Sequence, residues 1–591
     1  MNRMFNRTLA LLLVLCMVVI SAVSCAPAQN TSTETTGAST EVTETEVKTE
    51  TATETQTEIA TEPETEAETE TESEADVESE AESEFESETD VETLTETVTE
   101  TVTEAVTEAP VETEAESVEF ETEIEIESEA DSEEESESEA DSEEESESET
   151  EAPNYLELPY SKTPGDLSIC GVSIEEYVIV IPETCDLYTL YAAMNLSEHL
   201  LKYGGITLDI VTDDVAEATY ELVIGNTNRA GSAIAAAVEL EADEYILMMD
   251  DESVIIWGES YMVGGGAGAF ATLYAAGAWR GYDIDITTIP TEATPTQFVF
   301  EEAKSAILLI GDGMGEKHID MTIANGILDK FCARDLPNIS WIVTRSQSVI
   351  NGVEGVTDSA ASGTALATGF KTLNGCVGVD PDGNTLLNVR ELAHAAGAKT
   401  AVLTTDEITG ATPGAFLAHV ASRGSTSMIQ REVNNLLRRG KVDVAEGSLT
   451  DETFFSTAVS TLNTISTNDS SFFVMMEEGY IDKHSHNNDA ENMMHTVDRF
   501  NEVIAYCMEF VMFHPDTVLI VTADHETGGI RHNPYTNEFK FSSGGHTNVD
   551  VPIYAMGAGT EYFTETHENT RVPMFIASIF SDEAFGDPQY E

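Results

Sequence analysis

The sequence predicts an α/β fold, a largely parallel central sheet covered by helices on both faces. A small α/β domain and a disordered acidic stalk precede it. Three observations carry this. Residues 306–310, 472–476 and 517–521 are continuous apolar runs, as expected of strands buried on both faces. Between the last two, Met493, Val497, Phe500, Ile504, Met508 and Val511 keep helical spacing, so a helix links them. Residues 31–153 hold 49 of the 112 acidic residues against one basic residue, Lys48, and too little apolar content to offset the entropy of folding.

Taken in order, the chain starts with a basic segment, an apolar run over residues 9–23, and Ser24-Cys25. This reads as a secretory signal, since about 15 apolar residues are short for a membrane span. Ala22-Val23-Ser24-Cys25 resembles a bacterial lipoprotein signal, which implies lipidation of Cys25 and an extracytoplasmic, cell-surface protein, with simple secretion as the alternative. Residues 26–153 then read as a stalk joining anchor to folded part. A cation-collecting or mucin-like segment is the rival. The net charge of −87 argues against nucleic acid as a partner.

Residues 154–300 are expected to form the small α/β domain. Strands are predicted at 177–181, 221–225, 245–247 and 254–257, and a helix at 187–203 with Leu190, Met194 and Leu201 among its apolar positions. The run Gly264–Gly268 is expected to be a tight turn into a helix over 269–274, because it lacks the lysine of a phosphate loop. Beyond the signal, five cysteines stand at wide spacing, which is no disulfide framework. Cys170 and Cys185 either pair or are free thiols.

The catalytic domain is placed at 301–591. Parallel sheets bind ligands at the carboxyl ends of their strands. There the three strands deliver Asp312, then Glu477, then Asp524-His525. Asp482 and His486 are four apart, on one face of a helical turn, and His546 follows a glycine-rich loop. Ser359 opens a run of small residues, Ser-Ala-Ala-Ser-Gly-Thr-Ala. A helix start favours an alkoxide or a phosphoryl group there, and an ordinary serine cap is the bland reading. Carboxylates with histidines suit zinc, and an oxygen-only set suits magnesium.

These segments resemble alkaline phosphatases, in order, from about residue 307 to 557. The resemblance rests on Gly311-Asp312-Gly313-Met314-Gly315, Thr357-Asp358-Ser359-Ala360-Ala361-Ser362, Thr368–Gly375, Ala411-Thr412-Pro413, Ala418–Arg423, Glu477–His486, Thr522-Ala523-Asp524-His525 and Gly545-His546-Thr547. It implies an alkaline-phosphatase-like fold and hydrolysis of small phosphate monoesters through a phosphoserine at Ser359. It also implies two zinc ions and one magnesium. Asp482, His486 and His546 match the first zinc, and Asp312, Asp524 and His525, with the Ser359 oxygen, match the second. Asp312, Thr412 and Glu477 match the magnesium. Arg423 matches the phosphate-gripping arginine. One departure stands out. Gly410 occupies a position that is acidic in one branch of the family, so Lys483 is free to reach phosphate, and occupancy of the third metal is in doubt. His318 and His484 match nothing and read as surface residues. Homodimerisation, common in the family, stays open. The alternatives are hydrolysis of diesters or of other phosphate or sulfate esters on the same fold, and a surface binding protein acting through residues 154–300.

Overall fold

The computed structural model describes residues 166–278, 283–467 and 470–590. The signal and stalk readings, Cys25 included, lie outside the described residues.

The larger sheet has eight strands. Their order is Val444–Glu446, Lys399–Thr404, Phe472–Glu478, Ser305–Gly311, Thr517–Thr522, Val551–Met556, Asn338–Val343 and His567–Glu568. Only Val551–Met556 runs against its neighbours. The central strands Ser305–Gly311, Phe472–Glu478 and Thr517–Thr522 are buried at every residue, which explains their unbroken apolar sequences. Their register pairs Ile310 with Glu477 on one side and with Thr522 on the other. The polar residues that follow therefore emerge at one end of the sheet.

A six-stranded sheet lies in the earlier part of the chain, in the order Ile210–Thr212, Val178–Ile181, Glu221–Ile224, Ser253–Gly258, Glu244–Asp250 and Thr296–Gln297. Its first four strands are parallel and the last two join antiparallel. The helix Leu187–Gly204 is capped by Asp186, which accepts from Thr189 N, and stops at Gly205 in the left-handed region (φ 67°).

Both parts share one apolar core. The joint is the helix Ala490–Phe513, which packs against Leu187–Gly204 and Met262–Ala278. Every residue from Val503 to Phe513 is buried, as expected of a helix covered on all sides. Burying each large apolar side chain there contributes roughly 1.5–3 kcal/mol.

The glycine run departs from its expected turn and lies inside the helix Met262–Ala278. The reason is close packing. A Cβ on Gly264 would fall 1.8 Å from Glu509 Oε2, and one on Gly268 would fall 2.5 Å from the Met512 carbonyl oxygen. The glycines let two helix backbones approach where no side chain fits.

Cys170 and Cys185 are free thiols. Among the described residues, no helix is long and apolar enough to cross a membrane.

Candidate active site

Ser359 is the first residue of the helix Ser359–Thr368, but Asp358 caps it, accepting from Ala361 N at 3.0 Å. The cap is thus supplied by the neighbour, and Ser359 Oγ is left to face His525 Nε2 at 3.1 Å. The serine is 4% exposed. Asp358 also accepts from Gly375 N, and Arg423 Nη1 lies 3.3 Å from its Oδ2. One carboxylate therefore caps the serine helix and orients a half-exposed guanidinium beside it.

The strand ends bring the acids together. Asp312, Asp524 and His525 each offer a ligand atom, all within 4.8 Å of one another. Asp482, His525 and His546 form a second such group. His486 completes it from the helix Tyr480–His486, with Nε2 3.2 Å from Asp482 Oδ2 and 3.2 Å from His546 Nε2. Glu477 faces the same end and accepts from Thr404 Oγ1. The Thr412 hydroxyl lies against that carboxylate without good hydrogen-bond geometry. Glu478, one residue on, points to the opposite face of the strand, to Thr405 and Tyr480.

The electrostatics are those of a crowded acidic centre. Burial, then the neighbouring carboxylates Asp524, Asp482 and Glu477, holds Asp312 well above the usual range. Burial pushes Glu477 to about 8 and Asp524 to about 6. Burial also works against charge on Asp482, but hydrogen bonds from His486 and Thr527 and the nearby imidazoles outweigh it and hold the carboxyl below its ordinary value. His525 is pushed down to about 4 by burial, so its imidazole is neutral and its nitrogen lone pair available. His486, bonded to Asp482, rises to about 9.

Three buried atoms here have no hydrogen-bond partner: Asp312 Oδ1, Asp524 Oδ2 and Thr412 Oγ1. Orphaned buried oxygens are costly. Two carboxylates and a hydroxyl short of partners, beside imidazole nitrogens that face one another, form a donor set that fits bound cations.

Lys483, which the sequence leaves free to reach phosphate, has a carboxylate partner. It pairs with Asp406 and lies over the Tyr480 ring, 4.4 Å from its centroid. The acidic partner missing at Gly410 is supplied by Asp406, earlier in the same loop. His318, expected at the surface, is fully buried. Its Nδ1 accepts from Gly315 N and its Nε2 meets Ser485 Oγ at 3.0 Å, beneath the Asp482–His486 turn. His484 is half-buried beside Tyr480. Sequence reasoning also missed Thr527, which donates to Asp482 Oδ1, and Glu526, which accepts from Thr547 Oγ1. Both lie within three residues of Asp524. Their pairing ties the His525 and His546 segments into a two-stranded ribbon, which adjacency alone could have suggested.

A family model described as Alkaline phosphatase matches residues 303–455 and 441–540. "Alkaline phosphatase 4" of Bacillus subtilis (strain 168) is 27% identical over 328 residues, covering 44% of this chain and 69% of that protein. "Alkaline phosphatase 3" of the same strain is 30% identical over 295 residues, covering 39% and 62%. The structure of alkaline phosphatase from the Antarctic bacterium TAB5 is 27% identical, covers 47% of this chain and 99% of that one, and superposes with a TM-score of 0.43. The family model and these relatives make the catalytic part of this chain similar to alkaline phosphatases, and they support a phosphatase hydrolase.

Proposed function

We infer that the chain hydrolyses small phosphate monoesters to an alcohol and inorganic phosphate, with Ser359 as nucleophile. The observation that carries this reading is Ser359 Oγ itself. It sits at a helix N-terminus next to Asp358, which pairs with Arg423, and 3.1 Å from His525 Nε2, among buried oxygens that lack partners.

Asp482, His486 and His546 would hold a first zinc, Asp312, Asp524 and His525 with the Ser359 oxygen a second, and Asp312, Thr412 and Glu477 a magnesium. When bound, such ions neutralise charge on the entering and leaving oxygens and lower the pKa of a hydroxyl or water. The chain's own residues do the rest. Free backbone N–H groups at the start of the helix Ser359–Thr368 and its dipole favour negative charge at Ser359. Arg423 presents a planar fork to two phosphate oxygens. Asp358 fixes that fork from behind. Ser359 Oγ bonds to phosphorus as the ester P–O bond breaks, leaving phosphoserine and an alcohol. Water then attacks phosphorus, the serine P–O bond breaks, and phosphate departs. Lys483, held by Asp406, keeps a positive charge near the centre.

The setting proposed for this activity is outside the cell, on a surface lipoprotein anchored through Cys25 and spaced by the acidic stalk. Nucleic acid is not among the proposed partners.

The test compares p-nitrophenyl phosphate with its bis ester and with p-nitrophenyl sulfate at pH 8–10, with and without EDTA, beside Ser359→Ala. Monoester hydrolysis that EDTA abolishes, that zinc plus magnesium restores and that the variant lacks is the expected result. A preference for the bis ester or the sulfate would overturn the monoester assignment.

A further inference from the structure

A buried polar chain runs from the far edge of the large sheet to the back of the site. Lys371 Nζ, 2.9 Å from its counter-charge Glu568, donates to Asn569 Oδ1 at 2.7 Å. Asn569 Nδ2 donates to Ser362 Oγ at 2.9 Å. Ser362 Oγ donates to the Asp524 carbonyl oxygen at 2.5 Å. The lysine, the asparagine and Ser362 are 4%, 0% and 1% exposed.

The direction of every proton follows from the lysine. An ammonium only donates, so Asn569 must turn its oxygen to Lys371 and its NH2 to Ser362. Ser362, accepting there, is left to donate to Asp524. Aligned bonds of this kind polarise and strengthen one another. Both ends of the short final bond belong to the site. Ser362 lies one helical turn after Ser359 on the helix Ser359–Thr368. Asp524 is the residue whose Oδ1 is held by Gly313 N and His525 N, at 3.1 and 2.9 Å, so that Oδ2 is left without a partner beside His525 Nε2.

We propose that Asn569, fixed by Lys371, is a positioning residue for the reaction: through Ser362 it clamps the Ser359 helix to the Asp524–His525 main chain. The clamp sets the 3.1 Å separation of Ser359 Oγ from His525 Nε2 and the aim of the free Asp524 oxygen. Asn569 touches no reacting atom. The proposal rests on the monoesterase reading above.

The discriminating variant in the full chain is Asn569→Asp. It keeps the side chain's size and gives Lys371 a better partner, so a purely structural role predicts an unchanged or more stable enzyme. It offers no N–H to Ser362, so the Ser362 hydroxyl turns to the new carboxylate and releases the Asp524 carbonyl. The expected result is a kcat lowered roughly ten- to hundredfold and a zinc affinity, read by competition with a chelator, weakened in the same range. KM and the melting temperature stay near those of the wild type. Ser362→Ala, which cuts the chain from the other side, is expected to lower kcat and zinc affinity per folded molecule in the same way, with a lower melting temperature because it orphans the Asp524 carbonyl and the Asn569 NH2, and serves if the first variant does not fold. Wild-type kcat and zinc affinity in either folded variant would overturn the proposal, as would losses explained wholly by a smaller folded fraction. An unmodified chain inactive on p-nitrophenyl phosphate would instead overturn the monoesterase reading, while the zinc titration would still report on the clamp.

Discussion

The two sheets of this protein end in different ways. At the ends of the small sheet, polar groups are satisfied internally. Asp213 accepts from Glu183 N and Asn228 N at 2.8 and 2.7 Å, and Ser232 Oγ donates to the Gly225 carbonyl at 2.7 Å. At that sheet's rim Glu221 is paired with Arg229 through two bonds, 2.7 and 2.9 Å. At the end of the large sheet, Asp312 Oδ1, Asp524 Oδ2 and Thr412 Oγ1 are buried without hydrogen bonds. Both sheets are largely parallel and both gather polar residues at strand ends. Only one leaves them short of partners. A parallel sheet therefore provides a place for a site, and of these two sheets only the large one brings buried carboxylate oxygens without partners to its strand ends.

This contrast can be broken by mutation. Ser359→Ala should lower kcat by at least about 1,000-fold while leaving thermal stability near that of the wild type, measured by initial rates and a melting curve. Arg229→Met should do the reverse. It leaves Glu221 buried and unpaired, which costs about 3–5 kcal/mol of stability in a denaturant titration, with kcat per folded molecule unchanged. Any large change in kcat there would remove the distinction between the two sheets.

Smaller effects probe the joint between the two parts. Gly264→Ala places a methyl group against Glu509 and should destabilise by about 1–3 kcal/mol, with activity retained. Glu509 itself gives a pH dependence. Its carboxyl is fully buried, with neither oxygen hydrogen-bonded, and burial, then Asp186, holds it well above the ordinary value. The folded chain thus keeps a proton that the unfolded chain releases above a pH of about 4.3. The contribution is complete below that pH and is lost as pH rises, by about 1.4 kcal/mol per unit, until the folded carboxyl ionises. Glu509→Gln should remove this slope from stability measured against pH. An unchanged slope would show that Glu509 is already charged in the folded protein.

What was legible in the sequence follows from what is local. Strands buried on both faces announce themselves as unbroken apolar runs, so the core of the large sheet and the polar residues at its end were readable. The Asp482–His486 pair was readable for the same reason, since four residues make one helical turn. Contacts distant in sequence were not readable. Lys483 meets Asp406 across 77 positions, so a missing acid at Gly410 looked like a free lysine. His318 is buried by Ser485 and by Phe541 of a remote hairpin, and nothing near it says so. The glycine run looked like a turn because glycine is the usual turn residue. Its true reason is another helix that arrives more than 200 residues later.

The most direct test of the account is a metal titration of the chelator-stripped full chain, following bound zinc and magnesium together with p-nitrophenyl phosphate hydrolysis. Without metal no turnover is expected; activity then rises in step with bound ions up to at least two per chain, and Asp524→Ala shows neither response at full strength. Full activity in the stripped protein, or ions bound at that stoichiometry with no hydrolysis, would contradict it.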